Sequence, residues 1–279
     1  MTPETPTDTT WLPEWLARLG IDGQPPVTRA TLEDVTRAHL ARIPFENLSV
    51  MGGNVPSLDL GSLTRKLISQ RRGGYCFELN LLLCTGLCAL GFKARLLMAR
   101  VMRNRPEPGP RTHCVVIVTI EGTEHLVDVG FGGPGPSAPL EMLRDTPLVA
   151  DGVAFRLDDR PGLGTVLGRR SASGDWSDLY AFTDEVTALS DLQAGNWLAA
   201  TPPGSLFRQT LVVARQQDGR RYTLEGTTFR EFHGTALVRE TSLHDVIAVL
   251  TCLQDMFGLT ADPTLTQAVV KSMAHGGAG

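Results

Sequence analysis

Residues 76–90 are the feature that most constrains this chain, an almost unbroken apolar segment that begins at a cysteine two residues after the pair Gly73 and Gly74. Because the segment is apolar on nearly every side at helical spacing, it predicts a buried helix. The glycine pair ends the preceding element, and Gly91 supplies a stop. We therefore expect Cys76 at the N-terminus of a central helix, where backbone amides and the helix dipole favour a thiolate over a thiol.

Two side chains suited to acid–base chemistry follow this cysteine, His113 and Asp128. A Cys, a His and an Asp that converge in a fold supply a nucleophile, its base and the group that orients the base. We expect the two residues on strands at 113–120 and 125–129. An even-length loop centred near residues 120–121 would set them directly opposite each other on one face. Each residue alone has an ordinary structural explanation, but the combination with glycine-rich turns favours catalysis.

Composition excludes several classes of function. The chain has 279 residues, 42% of them apolar, and a formal net charge of −4 without long runs of either sign. Nucleic-acid binding, which requires a basic footprint, is therefore not expected. No apolar stretch is long enough to cross a membrane, and the N-terminus does not resemble a secretory leader. A cytoplasmic protein without membrane partners is the resulting expectation.

The five cysteines follow neither a disulfide framework nor a zinc site. Cys84 and Cys88 fall on one helix face, but no second cysteine pair or nearby histidine completes a tetrahedral set. We therefore expect no metal.

Hydrophobic periodicity and glycine or proline stops divide the chain into an early helical part and a later part rich in strands. Helices are predicted at 11–19, 32–41, 63–70 and 76–90, the second of them starting after Thr31 with Asp34 completing a capping box. Strands are predicted at 94–102, 113–120 and 125–129, followed by weak strand signals over 153–182, a hairpin of 206–214 with 221–225, a strand at 235–239 and a helix at 243–257.

Four segments resemble the signature blocks of the arylamine N-acetyltransferase family. In chain order they are IPFENL at 43–48, RGGYCFELN at 72–80, the pair Thr112 and His113, and DVGFGG at 128–133. The resemblance is strong through about residue 140. It is thinner afterwards, where NW at 196–197 and SLF at 205–207 are similar to a later block.

This resemblance implies a fold of the α+β class with a papain-like cysteine-enzyme core. The implied parts are an N-terminal helical bundle over residues 1–91 that carries the cysteine, a central β-barrel over 92–200 that carries the histidine and aspartate, and a C-terminal α/β lid over 201–279.

The resemblance also implies acetyl transfer from acetyl-CoA to an aromatic amine or hydrazine, without a metal. Cys76 would accept the acetyl group, His113 would act as base and Asp128 would orient it. The expected coenzyme contacts are Thr112, Gly130, Phe131, Gly132, Gly133 and Ser205. The candidates for an aromatic acceptor pocket are Phe45, Phe131 and Phe207. The sequence leaves the oligomeric state and the preferred amine open.

Two further points concern the signature blocks. The chain departs from the family pattern at 198–203, where LAATPP leaves Thr201 as the only hydroxyl before Ser205, so coenzyme contacts from this segment do not carry over.

Glu46 and Glu78 are expected to be buried scaffolding carboxylates, paired with arginines drawn from Arg42, Arg71 and Arg72.

Other functions remain compatible with the same three side chains. A cysteine peptidase or amidase would pass the acyl group to water rather than to an amine. An amide synthase would take its acyl group from a carrier-bound chain. A non-catalytic binding protein that keeps the fold of an enzyme is a further alternative, although the cysteine, histidine and aspartate needed for catalysis are all present.

Overall fold

The computed structural model describes residues 9–102 and 107–276. Its N-terminal part is helical, with one short strand. The elements are α1 (Leu12–Leu19), α2 (Arg29–Arg42), β1 (Phe45–Glu46), α3 (Leu48–Met51), α4 (Leu60–Leu63), a π-helical turn at Thr64–Ser69 and α5 (Cys76–Ala89). The predicted start of α2 was wrong by three residues. Thr28 is the N-cap, because its side chain accepts a hydrogen bond from the Thr31 amide.

The middle of the chain forms an eight-stranded antiparallel sheet. Its strands are β2 (Lys93–Val101), β3 (His113–Ile120), β4 (Thr123–Val127), β5 (Leu140–Glu141), β6 (Leu148–Ala150), β7 (Val153–Arg160), β8 (Gly164–Arg170) and β9 (Trp176–Phe182). They lie in the order β5-β4-β3-β2-β9-β8-β7-β6. The two edge strands, β5 and β6, come close to each other, so the sheet curls into a nearly closed barrel.

The C-terminal part combines a second sheet with helices. Its elements are α6 (Leu189–Ala200), α7 (Leu206–Gln209), β10 (Val212–Gln217), β11 (Arg220–Glu225), β12 (Thr228–His233), β13 (Ala236–Ser242), α8 (Val246–Phe257) and α9 (Pro263–Gly276). The predicted strand at 206–214 was wrong in its first half, which forms α7 because Ser205 caps a helical turn. Helix α6, strand β12 and helix α9 were not predicted.

Strand β1 joins the N-terminal helical part to the C-terminal sheet. Although it lies in the helical N-terminal part, it pairs with β10, so the second sheet has the order β1-β10-β11-β12-β13. The expected α+β class is confirmed. The domain boundaries at 91/92 and 200/201 stay predictions.

Helix α5 occupies the centre of the largest hydrophobic core, as its apolar composition predicts. Its residues Phe77, Leu79 and Leu82 are fully buried, and the helix packs on β2 and β3. A Cβ atom on Gly86 would lie 2.5 Å from the Trp15 ring, so glycine is needed where α1 crosses α5. Helix α5 is thereby packed between α1 on one side and β2 and β3 on the other.

The longest α-helices in the described residues have 14 residues. A membrane-spanning helix needs about 20 predominantly apolar residues. In the described part of the chain, no helix is long and apolar enough to cross a bilayer.

Candidate active site

Cys76 is the first residue of α5, as the sequence predicts, and its side chain is 3% exposed. Its Sγ lies 3.6 Å from the carbonyl oxygen of Thr112, the residue before His113. The Glu78 carboxylate accepts a hydrogen bond from the Tyr75 amide and caps this first turn. The helix start therefore holds the sulfur beside the beginning of β3.

Glycines let other backbone segments approach the helix start. A Cβ on Gly73 would lie 2.2 Å from the carbonyl oxygen of Pro44, and a Cβ on Gly130 would lie 2.6 Å from Cys76 Cα. Both positions exclude any side chain. Gly130 therefore serves first as a packing residue against Cys76, in addition to its predicted place beside the coenzyme.

The expectation of a lowered pKa for the Cys76 thiol was wrong. Burial raises this pKa well above its ordinary value, and the negative charge of Asp128 raises it further. The backbone amides of Phe77 and Cys76 act in the opposite direction but do not outweigh burial. The position at a helix N-terminus alone therefore does not lower the pKa of this thiol. Ionisation of the sulfur requires a proton acceptor close by.

His113 and Asp128 form a close pair. His113 Nε2 lies 2.8 Å from Asp128 Oδ2, and both side chains are buried. Burial opposes ionisation of the carboxyl group. Its interaction with His113, together with hydrogen bonds from Asn80 and the Gly130 amide, nevertheless holds the pKa of Asp128 below its ordinary value. Because the ionised carboxylate binds Nε2, the other ring nitrogen, Nδ1, is the one that can accept and release a proton during the reaction.

The hairpin that carries the pair differs in register from the prediction. Its turn has two residues, Glu121 and Gly122, whose φ angles of 50° and 83° suit a type I′ turn. Extending this register by one residue sets Asp128 opposite Val115 rather than His113. The two side chains still share a face, because the loop length is even as predicted.

Asn80 is a site residue that sequence reasoning missed. It lies one helical turn after Cys76, and its Nδ2 donates to Asp128 Oδ1 at 2.9 Å and to the Cys114 carbonyl at 2.7 Å. Its Oδ1 accepts from the Val129 amide at 3.0 Å. The available signal was a lone amide side chain in a largely apolar buried helix, since a buried polar group must find partners.

A cavity of about 750 Å³ opens over these residues. Cys76 and His113 line it, together with every residue predicted to contact coenzyme or acceptor: Thr112, Gly130, Phe131, Gly132, Gly133, Ser205, Phe45 and Phe207. Asp128 lies behind it, against a smaller void. The fold thus brings the whole predicted set to one place.

Aromatic rings surround the sulfur and the imidazole. The Phe131 ring lies edge-on to the His113 ring, with centroids 5.4 Å apart, and Tyr180 contacts both. Phe45 and Phe207 contact each other at 5.8 Å on the cavity wall. Tyr180 was not predicted, because it lies on β9 in a stretch where strand signals were weak.

The wall formed by residues 198–207 is largely apolar. Leu198, Ala199 and Pro202 line the cavity. The Ser205 hydroxyl is already engaged, since it donates to the Ala199 carbonyl and accepts from the Phe207 amide. Thr201 likewise donates to a backbone carbonyl. The hydroxyls of this segment therefore stabilise its own backbone.

The two buried glutamates act as scaffolding. Glu46 pairs with Arg72, with Nη2 to Oε1 at 2.9 Å, as one of the predicted pairings has it. Glu78 pairs with Lys66 at 2.7 Å and not with an arginine, so that part of the prediction was wrong. The π-helical turn brings Lys66 under the start of α5, a packing detail that the sequence does not reveal.

Within residues 9–102 and 107–276, no group of three or more His, Cys, Asp or Glu side chains is arranged to hold a metal ion. All five cysteines are free thiols.

Comparison with known proteins bears on this site. Residues 28–266 match the model of a family described as N-acetyltransferase. The chain is 36% identical over 251 residues to an arylamine N-acetyltransferase of Mycolicibacterium smegmatis, and the aligned region covers 88% of this chain and 90% of that protein. It is 34% identical to the Escherichia coli protein of the same name, covering 90% of this chain and 89% of that one. The chain belongs to the arylamine N-acetyltransferase family. Membership makes it an acyltransferase and confirms the resemblance seen in the signature blocks.

Solved structures of arylamine N-acetyltransferases share the fold. The structure from Salmonella typhimurium superposes with a TM-score of 0.89 at 33% identity, covering 95% of this chain and 98% of that one. The Mycobacterium marinum enzyme in complex with CoA superposes with a TM-score of 0.85 at 34% identity, covering 95% and 97%. The helical part, the nearly closed barrel and the C-terminal sheet with its helices therefore form the architecture of this family, consistent with the expected papain-like core.

Proposed function

We propose that this chain transfers an acetyl group from acetyl-CoA to the nitrogen of an arylamine or arylhydrazine through an acetyl-Cys76 intermediate. The observation that carries the proposal is the 2.8 Å contact between His113 and Asp128 beside a cavity that Cys76 lines. The names of the relatives support arylamines as acceptors, and the M. marinum complex supports CoA as the carrier.

The first half-reaction is attack of the Cys76 sulfur on the thioester carbonyl. Burial raises the pKa of the thiol, so the mechanism needs a base, and the proton passes to His113 as the new S–C bond forms. The tetrahedral intermediate collapses, the bond to the coenzyme sulfur breaks, and His113 returns the proton to CoA. Exchange of one thioester for another has little thermodynamic cost, which suits a cysteine nucleophile.

The second half-reaction is attack of the amine nitrogen on acetyl-Cys76. His113 removes a proton from that nitrogen, the C–S bond breaks, and the proton reaches the Cys76 sulfur. Asp128 keeps the imidazole in the orientation that both steps need. The backbone amides of Cys76 and Phe77, which have no intrahelical acceptors in the first turn, are the donors for the developing oxyanion.

The cavity divides by chemistry into a donor part and an acceptor part. Phe45, Phe131 and Phe207 supply ring faces for an aromatic amine next to the sulfur. Backbone groups of Thr112 and of the glycine-rich turn at 130–133 are available to the coenzyme. The backbone at Ser205 lines the same cavity. The apolar wall at 198–207 suits the pantetheine arm of the coenzyme rather than the phosphate groups of the coenzyme.

We also propose a cytoplasmic location, where CoA thioesters are available. The free state of all five cysteines is compatible with a reducing compartment.

Intact-mass spectrometry tests the reaction. Mixing the protein with acetyl-CoA should add one acetyl increment to wild type and none to Cys76→Ala, and adding an aniline should remove it with formation of the acetanilide. Initial-rate plots should be parallel, as a ping-pong mechanism requires. Intersecting plots, indicating a ternary complex, would contradict the intermediate.

The same experiment separates the alternatives. Rapid loss of the acetyl increment without any amine would favour an amidase or hydrolase. Failure of acetyl-CoA to label Cys76, with labelling by a carrier-bound acyl chain, would favour an amide synthase.

A further inference from the structure

A second cavity, of about 290 Å³, lies where α1, α2, the loop before α5 and the end of α8 meet. Four arginines line it, namely Arg18, Arg42, Arg71 and Arg215. The other described residues that line it are neutral, so it contains no carboxylate. None of its lining residues belongs to the catalytic cavity.

Two of the arginines are held in place by backbone carbonyls. Arg18 is 7% exposed, and its Nε donates to the Leu67 carbonyl at 3.3 Å. Arg215 donates to the Ala41 carbonyl at 2.6 Å and to the Met256 carbonyl at 3.2 Å. These neutral acceptors fix the guanidinium groups without compensating their charge.

The other two arginines are exposed and face the same space. In the described ranges of the chain, no carboxylate lies within ion-pair distance of Arg42 or Arg71, whereas the adjacent Arg72 pairs with both Glu46 and Asp262. Arg71 also has a φ of 53°, in the left-handed region that non-glycine residues rarely adopt. The backbone of Arg71 is thus held in an uncommon conformation at the edge of the cavity that its side chain lines.

The four charges act on one another. Burial lowers the pKa of Arg18 to about 10, and the positive charges of Arg71, Arg42 and Arg215 contribute to the decrease. Burial lowers the pKa of Arg215, and the charge of Arg42 contributes to the decrease. Tyr222 and Asp218, which do not line this cavity, act in the opposite direction. Four guanidinium groups, each a cationic side chain, therefore concentrate positive charge in a cavity that no carboxylate of the described residues lines.

We propose that this arginine cavity binds a multivalent oxyanion of the phosphate type, at a site separate from the catalytic cavity. Guanidinium groups match pairs of phosphate oxygens in geometry and remain charged at all relevant pH values. The volume accommodates a phosphate or diphosphate group. The group could be a free anion or part of a nucleotide, since both present the same oxygens.

Isothermal titration calorimetry with inorganic pyrophosphate, at ionic strength held constant with NaCl, tests the site. We compare wild type with Arg42→Gln/Arg71→Gln, which removes two exposed charges and leaves the buried Arg18 intact. The matched control is Arg65→Gln/Arg170→Gln, which removes two exposed arginines that do not line the cavity. We expect one pyrophosphate per chain and an affinity at least about tenfold lower in the first double variant only.

The two sources of the anion are separated by repeating the titration with ADP. Tighter binding of ADP than of pyrophosphate, with the same dependence on Arg42 and Arg71, assigns a nucleotide. Equal or weaker binding of ADP assigns the free anion. Absence of binding to wild type, undiminished binding to Arg42→Gln/Arg71→Gln, or an equal loss in the control variant would overturn the proposal. Since no acetyl donor is present, a negative result here leaves the acetyl-transfer proposal untouched.

Discussion

Asn80 Nδ2 lies 2.9 Å from Asp128 Oδ1, so the helix that begins at Cys76 also holds the carboxylate that binds His113. The nucleophile and the orienting acid are thereby positioned by the same rigid element. The spacing of four residues between Cys76 and Asn80 is one helical turn, which places both on the face that meets β3.

Replacement of Asn80 by alanine should lower activity by misplacing this carboxylate. A hydrogen bond to a charged group contributes about 1.5–3 kcal/mol, so kcat/KM for arylamine acetylation should fall about 10- to 100-fold. The rate of Cys76 acetylation by acetyl-CoA, measured by mass spectrometry, should fall in parallel. Thr85→Val is the control, because Thr85 is buried on the same helix and its hydroxyl donates to the Leu81 carbonyl, away from the catalytic residues. Unchanged activity per folded Asn80→Ala molecule would refute the positioning role.

Gly130→Ala should disturb the nucleophile directly. The added Cβ would lie 2.6 Å from Cys76 Cα and 2.8 Å from Asn80 Nδ2, so backbone must move. Overpacking of this kind costs about 1–3 kcal/mol, and a displacement of about 1 Å at a reacting atom costs about 10²-fold in rate. Steady-state kinetics and thermal unfolding measure both effects. Gly61→Ala, where the new Cβ meets only ordinary contact, should leave kcat/KM unaltered; a wild-type rate for Gly130→Ala would count against the close approach.

Lys66→Met should destabilise the protein by leaving the Glu78 carboxylate buried without its partner. Breaking a buried ion pair on one side costs about 3–5 kcal/mol, measured here as the free energy of unfolding in urea. Burial raises the pKa of Glu78, and loss of Lys66 raises it further. An acid with a raised folded-state pKa loses stability as pH rises through that value, so the deficit should be larger at pH 8 than at pH 5. The exposed Lys93→Met is the control, and equal effects of the two substitutions would argue against a structural role of the pair.

His39 should make stability dependent on pH. It is 0% exposed, and neither ring nitrogen has a hydrogen-bond partner among the described residues. Burial, followed by the charge of Arg18, lowers its pKa from 6.5 to about 3. As pH falls from about 6.5 towards 3, the unfolded chain binds a proton that the folded chain does not bind. The free energy of unfolding should therefore decrease by up to about 1.4 kcal/mol per pH unit from this residue.

Urea unfolding at several pH values between 7.5 and 4.5 measures this slope. His39→Leu should flatten it, whereas the exposed His244→Gln should not. Parallel slopes for wild type and His39→Leu would exclude His39 as the titrating group.

Local patterns predicted the elements that surround the site with good accuracy. The largely apolar segment after Gly73 and Gly74 predicted a buried helix starting at Cys76, and the observed α5 runs from Cys76 to Ala89. The β-branched run at 113–120 matches β3 in both bounds. Periodicity is a local property, so long and strongly patterned segments reveal their own conformation.

Weakly patterned segments were predicted less well. Helix α6, strand β12 and helix α9 were missed, and the first half of 206–214 is helical. The conformation of such segments is decided by what covers them. Leu211 and Leu224, for example, are buried because α8 and α9 pack over the second sheet.

The sequence by itself determined the family, the fold class and the identity of the chemical groups, because these follow from residue types at short range and from motifs that stand in order along the chain. Only the tertiary structure decided the hairpin register, the Asn80 contact with Asp128, the Lys66 partner of Glu78 and the raised pKa of the Cys76 thiol. Burial and pairing between distant segments depend on how the whole chain packs, and no local pattern records them.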